Sequence, residues 1–297
     1  MLIASHILAY NVSSTLRAAL ENMAPHVDKI FIAYPSRPWN YVPHSRQSKT
    51  NPTSLAEVHQ AAAGLKVEIL EGDWSTDEES RNACLERAKG EGFDWFLTQD
   101  ADEFYTESGW AMIREKLLRS THEEYFVTTW YNFWKSAQFV VVNAAGDLKD
   151  TNAGFALRCK DHLRFVRSRQ PNSGRRLVMD CPCYHYGYVR TDAEISEKIE
   201  TWTHAKDFDA ERWYRLKWLG WTERTINLHP IAPWTWKRAI RFPLEQPPFS
   251  LQFNLDYTSG ARRTLGALIG NAAFDVSVSC LQRAREVRSL FKVAIGR

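Results

Sequence analysis

Short apolar runs alternate with helix-patterned stretches through residue 105, and this alternation restricts the chain to few folds. Leu2 to Ala9, Asp28 to Ala33, Lys66 to Leu70 and Asp94 to Thr98 are short and dominated by apolar residues, as buried strands are. Between them, Val12 to Asn22, Ser54 to Ala63 and Glu78 to Lys89 read as helices. The first has Leu16, Ala19 and Leu20 on one face; the last follows a capping-box pattern, Ser75-Thr-Asp-Glu78, and stops at Gly90. Pro35 to Pro52, rich in Pro, Ser, Asn and basic residues, is a loop. Strand and helix in strict succession make βαβ units, which lay strands parallel and put helices on both faces. The expected class is α/β with a mostly parallel, Rossmann-like sheet.

Ligands of such sheets bind outside the carboxyl ends of the strands. The fourth apolar run ends there in Gln99-Asp100-Ala101-Asp102-Glu103-Phe104. Residues i and i+2 of an extended strand share a face, so Asp100 and Asp102 can converge on one cation. Carboxylate oxygens suit hard ions such as Mg2+ and Mn2+. A metal there can bridge a diphosphate and stabilise it as a leaving group.

Past residue 105 the pattern loosens. Tyr125 to Trp130, Phe139 to Val142, Gly154 to Arg158 and Leu163 to Arg167 read as short strands. Thr191 to His204, capped by Thr191 or Asp192, and Asp209 to Leu219 read as helices. Asn227 to Pro248 reads as a wrapping loop, and Thr264 to Val293 as a helix broken near Gly270. The 12 Trp are many for 297 residues, and some of these rings are expected to line a groove or cover a core edge. The 5 Cys form no CxxC pair, so neither a disulfide framework nor a zinc knuckle is indicated, and a cytoplasmic location is expected. No membrane span, signal peptide or basic amphipathic helix is read.

Charge is divided unevenly. Residues 1–150 carry 14 basic and 21 acidic side chains, net −7; residues 151–297 carry 24 and 14, net +10, giving the +3 of the whole chain. Arg158, Lys160, Arg164, Arg167, Arg169, Arg175 and Arg176 stand against a single Asp161. Such a run is either a solvated face or a track for a polyanion, and its bias to Arg suits bidentate phosphate contacts.

Gly92-Phe-Asp-Trp-Phe-Leu-Thr-Gln-Asp-Ala-Asp-Glu-Phe104 resembles the DxD strand of GT-A fold glycosyltransferases of the family 2-like group. Asp73-Trp74 through Arg81-Asn82-Ala83 is similar to the helix that precedes it, and Cys183-Tyr-His-Tyr-Gly-Tyr-Val-Arg190 to a segment that supplies a third metal ligand. Asn227-Leu-His-Pro230 is similar to the C-terminal part of some members. The resemblance implies a GT-A domain over residues 1–235, with a nucleotide-sugar half at 1–105 and an acceptor half at 106–235. Residues 236–297 form a C-terminal extension outside it. By the same resemblance Asp102, Asp100 and His185 hold Mn2+ or Mg2+, and Tyr10, Asn11, Arg81, Asp100 and Lys198 meet a nucleotide-sugar donor, expected to be a UDP-sugar. For the base that inverting transfer needs, Asp180 is the first candidate and Glu103, Asp150 and Asp161 are its rivals.

The basic second half bears on the acceptor. One possibility is a 5-hydroxymethylpyrimidine in DNA, as in phage-type DNA modification, with Arg164, Arg167, Arg169, Arg175 and Arg176 on the phosphates. The alternative is a cell-surface glycan or lipid-linked precursor, with Trp side chains stacked on sugar rings. A catalytically silent GT-A-like binding module, a metal-dependent phosphohydrolase and a purely structural DNA-binding protein are the remaining classes.

Overall fold

The computed structural model describes residues 1–39, 50–201, 207–255 and 265–294. Its first part follows the expected alternation: β1 (Ile3–Leu8), α1 (Leu16–Met23), β2 (Lys29–Pro35), α2 (Leu55–Ala62), β3 (Val67–Gly72), α3 (Asp77–Gly90) and β4 (Trp95–Thr98). β1 pairs in parallel with both β2 and β4, and β2 with β3, so the strands lie in the order β3-β2-β1-β4. Successive residues of these strands serve opposite faces. Ile3, Ile7, Ile30, Ile32, Trp95 and Leu97 enter one core with Leu16, Leu20 and Met23 of α1. Ala4, Phe31, Ala33 and Phe96 enter a second with Cys84, Leu85 and Ala88 of α3. Burial on both faces explains why these runs show no polar alternation.

The chain continues through β5 (Glu103–Phe104), α4 (Glu107–Arg119), β6 (Tyr125–Trp134), β7 (Ser136–Val142), β8 (Lys149–Arg158), β9 (Phe165–Arg167), β10 (Gln170–Pro171), β11 (Arg176–Tyr188), α5 (Asp192–Thr201), α6 (Ala210–Trp213), β12 (Arg238–Arg241) and α7 (Leu265–Ala294). β8 lies antiparallel to β4, and β6, β7 and β12 extend the sheet from it, each antiparallel to its neighbour. β11 runs parallel to β6 and antiparallel to β5. The sheet is parallel through its first four strands and mixed beyond them. A third core fills the far end: Trp134, Tyr188, Trp213, Trp218, Trp221 and Trp236 pack with Phe139, Ile195 and Leu228. Most of the unusual Trp content is therefore core, while Trp39, Trp130 and Trp236 reach a cavity.

Several expectations are corrected. The helix after β3 starts one residue early: Thr76 Oγ1 accepts from Glu79 N–H, and Glu79 Oε2 accepts from Ser75 N–H. The loop expected over 35–52 lies largely outside the described residues, as do residues 202–204 of the helix expected to His204. β11 is absent from the sequence reading because Pro182 and a register shift between Met179 and Cys183 interrupt its pattern. α4 carries an ordinary helix signal, Trp110, Ile113 and Leu117 behind an N-cap Thr106, that the reading passes over. β12 lies inside the segment expected to be a loop and pairs with β7, so the sheet continues past residue 235. α7 is unbroken at Gly270; a Cβ there would approach Leu216 Cδ2 at 3.3 Å, so this glycine lets the helix pack closely.

Candidate active site

The carboxyl ends of β1 and β4 open into a cavity of about 1320 Å³. Tyr10, Asn11, Arg81, Asp100, Asp102, His185 and Lys198 all line it, so the residues assigned to donor and metal meet in one place. The turn after β1 is fixed by Asn51, which donates to the Ala9 and Pro35 carbonyls and accepts from Asn11 N–H. Asn11 itself adopts φ 54°, a conformation Asn tolerates better than most residues.

Asp102 is the electrostatic centre. Arg190 Nη2 lies 3.2 Å and Lys198 Nζ 3.7 Å from its Oδ2, and His185 Nε2 lies 3.7 Å from its Oδ1. Burial raises its pKa, but Lys198, His185 and Arg190 outweigh burial and hold the carboxyl well below the usual range. Burial in turn lowers Lys198 to about 8 and His185 to about 4, so the imidazole is neutral at pH 7. His185 Nδ1 is 2.8 Å from Asn132 Oδ1. With the amide oriented this way the ring proton sits on Nδ1, and the Nε2 lone pair faces Asp102 Oδ1 with no proton between them.

That arrangement fits a metal ion. Ligand atoms of Asp102, Glu103 and His185 lie within 4.8 Å of one another. A Cβ on Gly187 would come to 2.6 Å from His185 Nε2 and 3.2 Å from Lys198 Nζ, so glycine keeps the space in front of the imidazole open. Asp100 turns Oδ2 to Arg169 Nη2 at 2.8 Å and leaves Oδ1 buried and unpartnered. Glu103 stands in this cluster where the sequence led to Asp100, but both Glu103 oxygens already accept from Arg169, which leaves Asp102 and His185 as the members free to bind an ion.

Two sequence assignments change with Arg169. It is 8% exposed and forks between Asp100 and Glu103 instead of lying on the surface track assigned to DNA phosphates. Tyr125 Oη donates to its carbonyl at 3.1 Å, and a Cβ on Gly154 would sit 2.4 Å from that same oxygen. The β9–β10 tip is therefore seated where only a glycine leaves room. Glu103 is fully buried and is not among the cavity-lining residues, which removes it as a base for an acceptor. Burial pushes its carboxyl up, against the pull of Arg169. For Asp100, Arg169 and Arg81 overcome burial and lower the pKa.

Asp180 does not face the cavity; it is exposed on β11, five residues and a strand irregularity before His185. Asp161 is exposed and also absent from the lining, and the Asp150 side chain lies outside the described ones. Arg81 pairs with Asp77 at 2.6 Å and donates to the Ser168 carbonyl while bordering the cavity. Arg164, Arg167, Arg175 and Arg176 are exposed, and Arg167 and Arg176 reach the lining. Sequence reasoning gives no role to Arg190, Asn132 or Gly187. Arg190 and Gly187 had a signal, their place in the His185 segment; Asn132 acts from a neighbouring strand remote in sequence.

No family model and no curated protein matches the chain. Similar solved structures include S. aureus TarS 1–349, at 12% identity over 74% of this chain and 71% of that one, with a TM-score of 0.36. A putative nucleotide-diphospho-sugar transferase from Desulfovibrio desulfuricans G20 shares 11% identity over 69% and 94%, with a TM-score of 0.37. HddC from Yersinia pseudotuberculosis shares 9% over 63% and 94%, with a TM-score of 0.38. These likenesses are loose, and the functional reading rests on the site's own geometry.

Proposed function

We propose that the chain is a metal-dependent glycosyltransferase that moves a sugar from a nucleotide sugar, expected to be a UDP-sugar, to an acceptor hydroxyl. One observation carries this reading: Asp102 and a neutral His185 face each other beside Arg190 and Lys198, with Asp100 lining the same cavity at the carboxyl ends of β1 and β4. Carboxylates and an imidazole lone pair on one side, with cations on the other, suit a divalent ion and a diphosphate together.

In this reading Tyr10, Asn11 and Arg81 border the nucleoside. Arg190 and Lys198 counter the charge that builds on the departing diphosphate, within a buried setting where such contacts are strong. Asp102, His185 and Asp100 would hold Mn2+ or Mg2+, which when bound supplies Lewis-acid stabilisation to the leaving group. Asn132 keeps the His185 proton on the far nitrogen. Among the described residues, the carboxylates lining the cavity are Asp77, Glu78, Asp100 and Asp102, and each already faces a basic side chain or a backbone N–H. None stands ready as a base for the acceptor.

The exposed Arg164, Arg167, Arg175 and Arg176 beside the cavity support an anionic acceptor, with 5-hydroxymethylpyrimidine DNA the first candidate. The second reading, a glycan or lipid-linked precursor, is favoured by Trp130, Tyr188 and Trp236 in the lining, since such rings stack on sugars.

The test is mass spectrometry of nucleosides after incubation with Mn2+, a panel of UDP-sugars and DNA carrying 5-hydroxymethylcytosine or 5-hydroxymethyluracil. A hexose or pentose increment that EDTA and Asp102→Ala both abolish is the expected result. UDP release that needs Asp102, without a labelled nucleoside, keeps the transferase and moves the acceptor to glycans. Nucleotide binding with no release under any condition sinks the enzyme and leaves a binding module.

A further inference from the structure

The C-terminal helix α7 has two unlike faces. Its inner face is tied down by polar contacts: Lys217, with its side chain fully buried, donates to Asn271 Oδ1 at 2.5 Å and Asp275 Oδ1 at 2.7 Å, and Asn227 donates to Asp275 at 2.8 Å. Phe274 sits under the Lys217 ammonium at 4.6 Å, and Val278 is buried. Positions 271, 274, 275 and 278 share one side of a helix, so docking fixes which side faces out.

As far as Gln282 the outer face is uncharged and mostly apolar, with Ser277 and Ser279 also exposed. Ile269 is 62% exposed, Val276 63% and Leu281 58%, and Leu268, Ala272, Ala273 and Cys280 are exposed with them. From Leu265 to Gln282 the single charged residue is Asp275, and it points inward to Lys217. A solvated helix ordinarily carries charge on its outer side. The sequence then repeats the apolar spacing at Val287, Leu290 and Phe291, interleaved with Arg283, Arg285, Arg288 and Lys292 against one Glu286. The sequence reading breaks this segment near Gly270, whereas α7 runs through it without a break.

We propose that α7 docks the protein on an anionic membrane surface, lying in the interface with Ile269, Ala273 and Val276 against the acyl boundary and the cations that follow Gln282 in the sequence among the headgroups. An aliphatic stripe followed by a run of cations suits a membrane interface, and the cations favour an anionic one. No helix among the described residues is long and apolar enough to cross a membrane, so the contact is peripheral. The proposal rests on α7 alone and stands or falls independently of the transferase reading.

The test is co-sedimentation of the full chain with vesicles of phosphatidylcholine alone and of phosphatidylcholine mixed with phosphatidylglycerol. Binding is expected to the mixed vesicles, weakening as salt rises, and to fall at least about tenfold in Ile269→Glu/Val276→Glu, whose exposed positions leave the fold intact by circular dichroism. Arg283→Gln/Arg285→Gln/Arg288→Gln is expected to remove the preference for phosphatidylglycerol. UDP release from the soluble donor should be unchanged in both variants. Absence of binding, or equal binding to both vesicles, overturns the proposal. So does a dimer by light scattering that the two glutamates dissociate, which would make the stripe an interface between copies.

Discussion

Arg167 and Arg169 stand on either side of Ser168 at one hairpin tip and live in opposite surroundings. Arg167 is exposed at the cavity rim, whereas Arg169 is buried against Asp100 and Glu103. The turn between them makes the difference. Ser168 adopts φ 47°, its N–H is taken by Glu78 and its carbonyl by Arg81, and the chain is driven inward toward the gap left by Gly154. A basic run in a sequence is thus not one surface. One of its members neutralises the acids beneath the cavity, Arg158 and Lys160 are tied to residues 120–124, and Arg164, Arg167, Arg175 and Arg176 are exposed.

This contrast can be broken at its strongest point. Arg169→Ala leaves the fully buried Glu103 and the part-exposed Asp100 without their shared cation, and is expected to cost about 3–5 kcal/mol in urea unfolding. A loss below about 1 kcal/mol, the range of exposed pairs, would erase the distinction between tip and rim. Next comes Gly187→Ala, whose methyl group would fill the space before His185 Nε2. Mn2+ affinity, measured by electron paramagnetic resonance on the free protein, should fall about 10–100-fold, with a lower Tm because the His185 ring must give way to the methyl group. Unchanged Mn2+ binding would remove His185 from the ligand set. The smallest effect on the fold belongs to the rim: neutralising Arg164, Arg167, Arg175 and Arg176 together should shift stability by no more than about 0.5 kcal/mol. In DNA binding the same variant should flatten the dependence of affinity on salt by up to about 0.9 log units per lost phosphate contact. A salt slope equal to the parent's would take DNA away from this rim.

The parallel part of the fold is legible because its signals are local. β1, β2, β3 and β4 are each one uninterrupted run with a helix between, and Asp100 and Asp102 follow at a position the topology itself marks. The mixed part is not, because its strands pair with partners far along the chain. β11 is broken by Pro182 and a shifted register, yet it sets His185 opposite Glu103. The site divides along the same line. Asp102, His185, Gly187 and Lys198 lie in or beside the motifs; Asn132 acts by being next to His185 in space. Arg169 was visible only as a charge, and nothing in its neighbours' identities says that Gly154 leaves it a way in. Asp180 misled because closeness to His185 in sequence does not survive the strand irregularity between them.

The pairing of β11 with β5 and β6 also sets an order of events. The first four strands close through short crossovers, but β11 joins only after some 70 residues of intervening chain have been arranged, a loop closure that is slow for topological reasons. His185 therefore reaches Asp102 late. On refolding, secondary structure by far-ultraviolet circular dichroism should recover before Mn2+ binding does, and the interval between the two signals would time the insertion of a single strand.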